Sequence, residues 1–332
     1  MRGEVGARST LTDTHSTSGP ACDLTVRELF DELARRVGHD RDRPGWTPEL
    51  VELHRHSLER RLVIIPEFYF TPVFSPAALP ERVWSGVFEW SVTYDAREQL
   101  AFMEKVRRFG SELQELDVEP SAPETELRRF YWTNPEFGHG DAILYYSLLR
   151  HFQPSRVIEV GGGFSTLLSS AAAERNGRTR VTCIEPNPRP FLQRPLPAVT
   201  LEKALVQDVP VEVFEGLEEN DVLFIDSSHV SKTGSDVNHL YLRVLPRLAR
   251  GVWVHVHDVF LPFEYPRAWS EQRYYWNEQY LLAALLAHSR KFEIVVANYF
   301  LSRTAGAGIA RFALPSKGAA AGGASFWIRA VS

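Results

Sequence analysis

Cysteine is nearly absent: Cys22 and Cys183 are the only two in 332 residues, far apart and with no metal-ligand spacing around either. That excludes a disulfide scaffold and predicts a reducing, cytoplasmic compartment. No apolar run approaches the roughly 18 residues that a bilayer span needs, so no membrane partner is expected. The best run, around 280–287, fits an ordinary helix core. The opening MRGEVGARST has no apolar stretch of the kind a secretory signal carries. Positive charge is not in excess either. Lys and Arg total 37 against 42 Asp and Glu, a net charge of −5, which provides no basic field and argues against a nucleic-acid partner. No internal repeat is visible. Only five of the basic residues are lysines, a compositional trait without functional content.

What is present suits a folded protein: 44% apolar and 24% charged residues. Residues 1–20 are rich in Ser, Thr and Gly and read as a disordered tail. Residues 21–134 read as an N-terminal helical cap. Its first helix begins near Asp23, with Thr25 and Glu28 spaced as a capping box, a stripe of Leu29, Phe30, Leu33 and Val37, and Gly38 at the C-terminal cap. Aromatics crowd between Phe68 and Tyr94, among them Trp84, Phe88 and Trp90. They suit a pocket wall or a cover over a neighbouring edge, and equally a plain core.

From residue 135 onward the pattern changes. Short apolar runs at 156–160, 180–184, 199–206, 221–225, 251–256, 292–298 and 325–331 read as strands. Helical stretches at 141–151, 165–174, 235–248 and 277–289 fall between them. Alternation of this kind specifies an α/β fold with a mostly parallel sheet of seven strands. The Gly- and Ala-rich stretch 302–324 shows no helical pattern, which predicts an antiparallel return of the last strand.

Ligands bind at the carboxyl ends of such strands. The first strand ends in Glu159-Val160-Gly161-Gly162-Gly163-Phe164-Ser165. The glycines let a backbone approach a ligand closely. Glu159 would oppose a pyrophosphate and suits a cationic group such as an amino-acid ammonium. The second strand ends in Glu185, an acid placed to accept from both hydroxyls of a ribose. Each acid alone reads as a solvated loop residue; two at successive strand ends are harder to dismiss. The fourth strand ends in Asp226-Ser227-Ser228-His229 and the fifth in His257-Asp258. Neighbouring strand ends converge, so Asp226, His257 and Asp258 offer two carboxylates and an imidazole to one cation. His255 alternates away from Val254 and Val256 and has no evident partner, so it reads as structural.

The run 157–166, together with Glu185, resembles class I S-adenosylmethionine-dependent methyltransferases over about residues 136–331. The likeness is strongest to the metal-dependent O-methyltransferases of the catechol and macrolide-sugar types. It implies a Rossmann-like fold for residues 135–332, with S-adenosylmethionine contacted by Glu159, Gly161, Gly163, Ser165, Glu185, Gln207, Asp208, Gly140 and Asp226. It further implies a divalent cation (magnesium, manganese or iron) held by Asp226, His257 and Asp258, with His229 as the base. His257 departs from that family, which has a carboxylate there. Such a cation lowers the pKa of a hydroxyl while a neighbouring base takes its proton.

The expected activity is therefore methyl transfer to a small-molecule hydroxyl, of a natural product or a sugar. A homo-oligomer is left open. The aromatic segment 260–277 reads as a lid or acceptor wall, with a dimer surface as the alternative. Two rivals remain at this stage: an iron-dependent oxygenase on the same fold, and a non-catalytic scaffold that binds S-adenosylmethionine.

Overall fold

Seven apolar runs become strands: β1 (Arg156–Val160), β2 (Arg180–Ile184), β3 (Val199–Glu202), β4 (Val222–Ile225), β5 (Trp253–Val256), β6 (Phe292–Ala297) and β7 (Phe326–Ala330). The computed structural model describes residues 25–37, 47–64, 71–88 and 92–332. The strands form one sheet in the order β3-β2-β1-β4-β5-β7-β6. β1 to β5 pair in parallel, and β7 runs antiparallel to both β5 and β6. The expected return of the last strand is thus present, and β7 inserts between its neighbours. All four residues of β4 and all four of β5 are buried, as befits strands covered on both faces.

The pairing register sets one row of side chains across the sheet: Glu159 beside Phe224, Phe224 beside His255, His255 beside Trp327. Helix His139–Phe152 lies over this row, and its residues 140–149 are all buried. Tyr145 of that helix packs on Phe224 with ring centroids 4.7 Å apart. Val160, Ile225 and Val254 belong to the opposite core, with Leu240, Val244 and Leu282.

Three elements differ from expectation. β3 stops at Glu202, and residues Val206–Asp208 form a 3₁₀ turn. The helix expected over 235–248 is three pieces: α over Asp236–His239, π over Leu240–Val244, and 3₁₀ over Leu245–Arg247. Pro246 has no N–H to continue the α pattern. The stretch 302–324 holds helical turns over Asn298–Thr304, Gly306–Ala310 and Pro315–Lys317, which its small residues concealed.

The chain divides into two compact units, Met1–Phe74 and Ser75–Ser332. In the first, helices Val26–Val37 and Pro48–Glu59 are described. The capping box forms there: Glu28 Oε2 accepts from Thr25 N at 2.7 Å, and Glu28 N donates to Thr25 Oγ1 at 3.3 Å. The tail 1–20, Asp23, Gly38, residues 68–70 and Trp90 lie outside the described residues.

Residues 75–134, read from sequence as part of the cap, share the second unit with the sheet. Met103, Val106 and Leu113 join the same core as Tyr145 and Trp327. Gln99 Oε1 accepts from Ala297 N at 2.9 Å. Of the aromatics described there, Phe88 and Tyr94 are half-buried against the second core, and Tyr94 packs on Phe300 at 4.8 Å. Among the described residues no helix is long and apolar enough to cross a membrane.

Candidate functional site

Strand order reverses between β1 and β4, and a cavity of about 390 Å³ opens at their carboxyl ends. That volume lies within the range of small-ligand sites. Gly161, Glu185, Gln207 and Asp226, all predicted as ligand contacts, line it. Ile184, Leu205 and Val206 supply apolar walls. Gly161 has φ +88, and an added Cβ would overlap the Asp226 carbonyl oxygen. Only glycine lets β1 turn away this close to β4.

Glu185 accepts from Gly162 N at 3.3 Å and from Asn187 N at 2.7 Å. A carboxylate has about four acceptor positions, so it keeps capacity for a ligand's hydroxyls. Gln207 Nε2 donates to Gly234 O at 2.9 Å, while its Oε1 is buried without a partner. A buried acceptor in that state favours a ligand that donates, such as an amino group. Sequence reasoning missed the outer wall, where Ser228, Lys232 and Asp236 also line the cavity. Asp236 accepts from Ser228 N at 2.8 Å and from its hydroxyl at 2.6 Å, which pins the loop after β4.

Other predicted contacts lie elsewhere. Glu159 is fully buried beneath helix His139–Phe152, where it accepts from Tyr145 Oη at 2.6 Å and Thr166 Oγ1 at 2.5 Å. Strand alternation turns it to that face, away from the cavity. Burial raises its pKa, although these hydrogen bonds work the other way. Gly163 caps helix Phe164–Asn176, and Ser165 is buried in the first turn of that helix. Gly140 abuts the Gly322 backbone. Asp208 is exposed at the end of the 3₁₀ turn and does not line the cavity. His255 is structural as expected, but it has a partner: its Nε2 lies 2.7 Å from Ser325 Oγ. Burial drives its pKa well below the ordinary value, which keeps it neutral.

Beside the cavity the acids and imidazoles meet. Asp226, His229 and Asp258 each offer an atom within 4.8 Å of the others. His229 Nε2 lies 3.2 Å from Asp226 Oδ1 and 3.7 Å from Asp258 Oδ2. His257, the predicted imidazole ligand, stands behind them. Its Nδ1 is 3.6 Å from Asp226 and 3.5 Å from Asp258, and its Nε2 is 3.4 Å from Asp141. Asp141 in turn accepts from Asn298 Nδ2 and from the amides of Ala324 and Ser325. Residue Glu278, which sequence reasoning did not single out, holds His229 Nδ1 at 2.9 Å and is 1% exposed.

His229 and Asp258 both have φ near +60, an uncommon conformation for residues with side chains, which concentrates at functional sites. Burial alone would lower the His229 imidazole, yet hydrogen bonds to Asp226 and Glu278 push it up to about 10. Burial alone would raise Asp226; the charges of His257 and His229 hold it well below the usual carboxylate range. Acids thus face both nitrogens of His229, Asp226 at Nε2 and Glu278 at Nδ1, an arrangement that suits an ion pair or a ring held in place at one nitrogen to offer the other to a cation. Asp141, Asp226, Asp258 and Glu278 set four carboxylates against two imidazoles. Asp226 and Asp258 bring carboxylate oxygens and His229 an imidazole nitrogen to one point, a donor set that fits a divalent cation.

Residues 158–259 match a family model described as a methyltransferase domain. An uncharacterized protein of Archaeoglobus fulgidus is 31% identical over 151 residues, which is 43% of this chain; this chain spans 66% of that protein, just under two thirds. Solved structures similar to the chain include the O-methyltransferase TomG of Streptomyces achromogenes in complex with SAM. It is 16% identical over 73% of this chain and 92% of its own, with a TM-score of 0.36. An O-methyltransferase of Bacillus cereus in complex with SAH is 16% identical over 73% and 93%, with a TM-score of 0.32. Likenesses this distant say nothing about the acceptor of this chain.

Proposed function

We propose that the chain, whose residues 158–259 match a methyltransferase domain, is an S-adenosylmethionine-dependent enzyme that methylates a hydroxyl of a small molecule with the help of a divalent cation. One observation carries this reading. Asp226 belongs both to the lining of the cavity and to the Asp–His–Asp group, so a bound cofactor and a chelated hydroxyl would meet at its carboxylate.

Glu185 suits the ribose hydroxyls, and the unpartnered Gln207 oxygen suits the adenine amino group. S-adenosylmethionine would supply the electrophilic methyl group and leave as S-adenosylhomocysteine, and a divalent cation would lower the pKa of the attacking hydroxyl so that its proton can pass to solvent. The residues of the chain do the rest. Asp226 and Asp258 fix the position of the acceptor through the cation, and in-line placement supplies much of the acceleration. The pinned loop after β4 holds Asp226 and His229 at fixed separation. A small-molecule natural product or sugar with adjacent oxygens is the acceptor this geometry favours.

A second reading, an iron-dependent oxygenase on the same fold, draws on the presence of His229 in the acid group. Oxygen uptake without methyl transfer would decide for it.

Glu185→Ala removes a charged acceptor worth roughly 1.5–3 kcal/mol per hydrogen bond. S-adenosylmethionine affinity, measured by calorimetry, should fall at least about tenfold. An unchanged affinity would refute the ribose assignment. Removal of divalent cations with EDTA should abolish methyl transfer and leave cofactor binding intact. Full turnover in cation-free buffer would take the cation out of the mechanism.

A further inference from the structure

The way His229 is held, more than its position, says which cation this site takes. Its Nδ1 faces Glu278 Oε2 at 2.9 Å, deep in the protein. Its backbone carbonyl accepts from Asn277 N at 3.0 Å and from Glu278 N at 3.2 Å. The Trp276 ring lies against the imidazole, with centroids 4.2 Å apart. Ring and backbone are thus clamped from one side by a single short segment, 276–278. The clamp turns Nε2 towards the carboxylates of Asp226, 3.2 Å away, and Asp258, 3.7 Å away, so all three donors face one point.

A carboxylate on the outer nitrogen fixes the proton there and makes the inner nitrogen a better donor to a metal ion. Imidazole is a poor ligand for magnesium and a good one for borderline transition ions. We infer that His229 Nε2 is a cation ligand, that Glu278 is its positioning residue, and that the site prefers a transition cation of the manganese, iron or zinc kind over magnesium. This inference rests on the metal-assisted reading above. It gives His229 a different task from that of base, and it explains why a buried carboxylate at position 278 spends its hydrogen bond on this one ring.

The rival explanation is an ion-pair cluster that holds no cation. Both imidazoles then serve only to neutralise acids, and Glu278 serves only to bury a charge pair. The two accounts differ in what a paramagnetic probe detects.

The test loads the full-length chain with manganese(II) and records pulsed electron paramagnetic resonance. Wild type should bind one manganese ion and show modulation from a directly coordinated ¹⁴N nucleus. The modulation should vanish in His229→Ala and persist in His257→Ala. Magnesium should displace the manganese only in more than about 100-fold excess, given an imidazole donor. Glu278→Gln keeps the shape but not the charge, and should weaken manganese binding by about 10–100-fold. Bound manganese without nitrogen coupling overturns this inference and leaves the metal-assisted reading standing. Wild type that binds no divalent cation overturns both. Modulation that persists in His229→Ala overturns the His229 assignment, and unchanged affinity in Glu278→Gln removes Glu278 as the positioning residue.

Discussion

Asp226→Asn is expected to lower methyl transfer by at least about 10³-fold, roughly 4 kcal/mol of transition-state stabilisation. This side chain touches more of the site than any other described. It lines the cavity, lies 3.2 Å from His229 and 3.6 Å from His257, and belongs to the Asp–His–Asp group. An amide of the same shape loses the negative charge that both imidazoles face. Removing one partner of a buried charge pair costs about 3–5 kcal/mol, because the other charge stays buried. If Asp226 is a direct ligand as proposed, cation affinity should fall by more than the 10–100-fold typical of losing an outer partner. Single-turnover methyl transfer and a cation titration on one preparation of the variant check both expectations. Turnover at the wild-type rate would exclude Asp226 from the chemistry. Loss of turnover with cation affinity unchanged would make its task cofactor placement alone.

Gly161→Ala should remove cofactor binding through the backbone. Gly161 sits at φ +88, where an L side chain costs about 1–2 kcal/mol. Its new methyl group would overlap the Asp226 carbonyl oxygen, a backbone atom at the end of β4 that no rotamer change can move. Overpacking of this kind adds about 1–3 kcal/mol. The ends of β1 and β4 must part, and the lining of the cavity moves with them. A unit of this size should lose on the order of 10 °C in melting temperature. Calorimetry should find no S-adenosylmethionine binding at concentrations that saturate the wild type. A variant that melts and binds as wild type would show that this turn relaxes freely. Gly177 is the natural control, since it also has positive φ but an added Cβ meets nothing within 4 Å. Its alanine variant should lose stability without losing the cofactor.

Much of the fold was legible because it depends on local pattern. Apolar runs with helices between them specify a parallel sheet whatever the details, and seven strands follow with the last antiparallel. The helix over 235–248 was misjudged because its apolar spacing is compatible with α, π and 3₁₀ turns alike. Composition changes near residue 134 while packing runs across it: Met103 and Tyr145 share one core.

The site divides in the same way. Gly161, Glu185 and Asp226 stand at strand ends and line the cavity, as carboxyl-terminal strand ends do in any sheet of this kind, whereas Gln207, which lines it too, was named only through the family resemblance. Glu159 lies on the face of the sheet away from the cavity, and the sequence could not tell this, because two-residue alternation says that neighbouring side chains diverge, not which of them faces the ligand. Tyr145 and Thr166 settled that, from helices on the far face of the sheet.

The sequence by itself determined the architecture, the glycine turn and the acids at the strand ends, because each depends on periodicity and on neighbours a few residues away. Only the tertiary structure decided the partners of the histidines. Glu278 lies 49 residues beyond His229 at the start of a helix, where an acid is unremarkable in sequence. His257 and His229 are each one histidine among 11, and nothing local distinguishes the ring behind the acids from the ring between them. That distinction comes from β4, β5 and helix Glu278–His288 meeting at one point, a packing outcome that no short window of sequence contains.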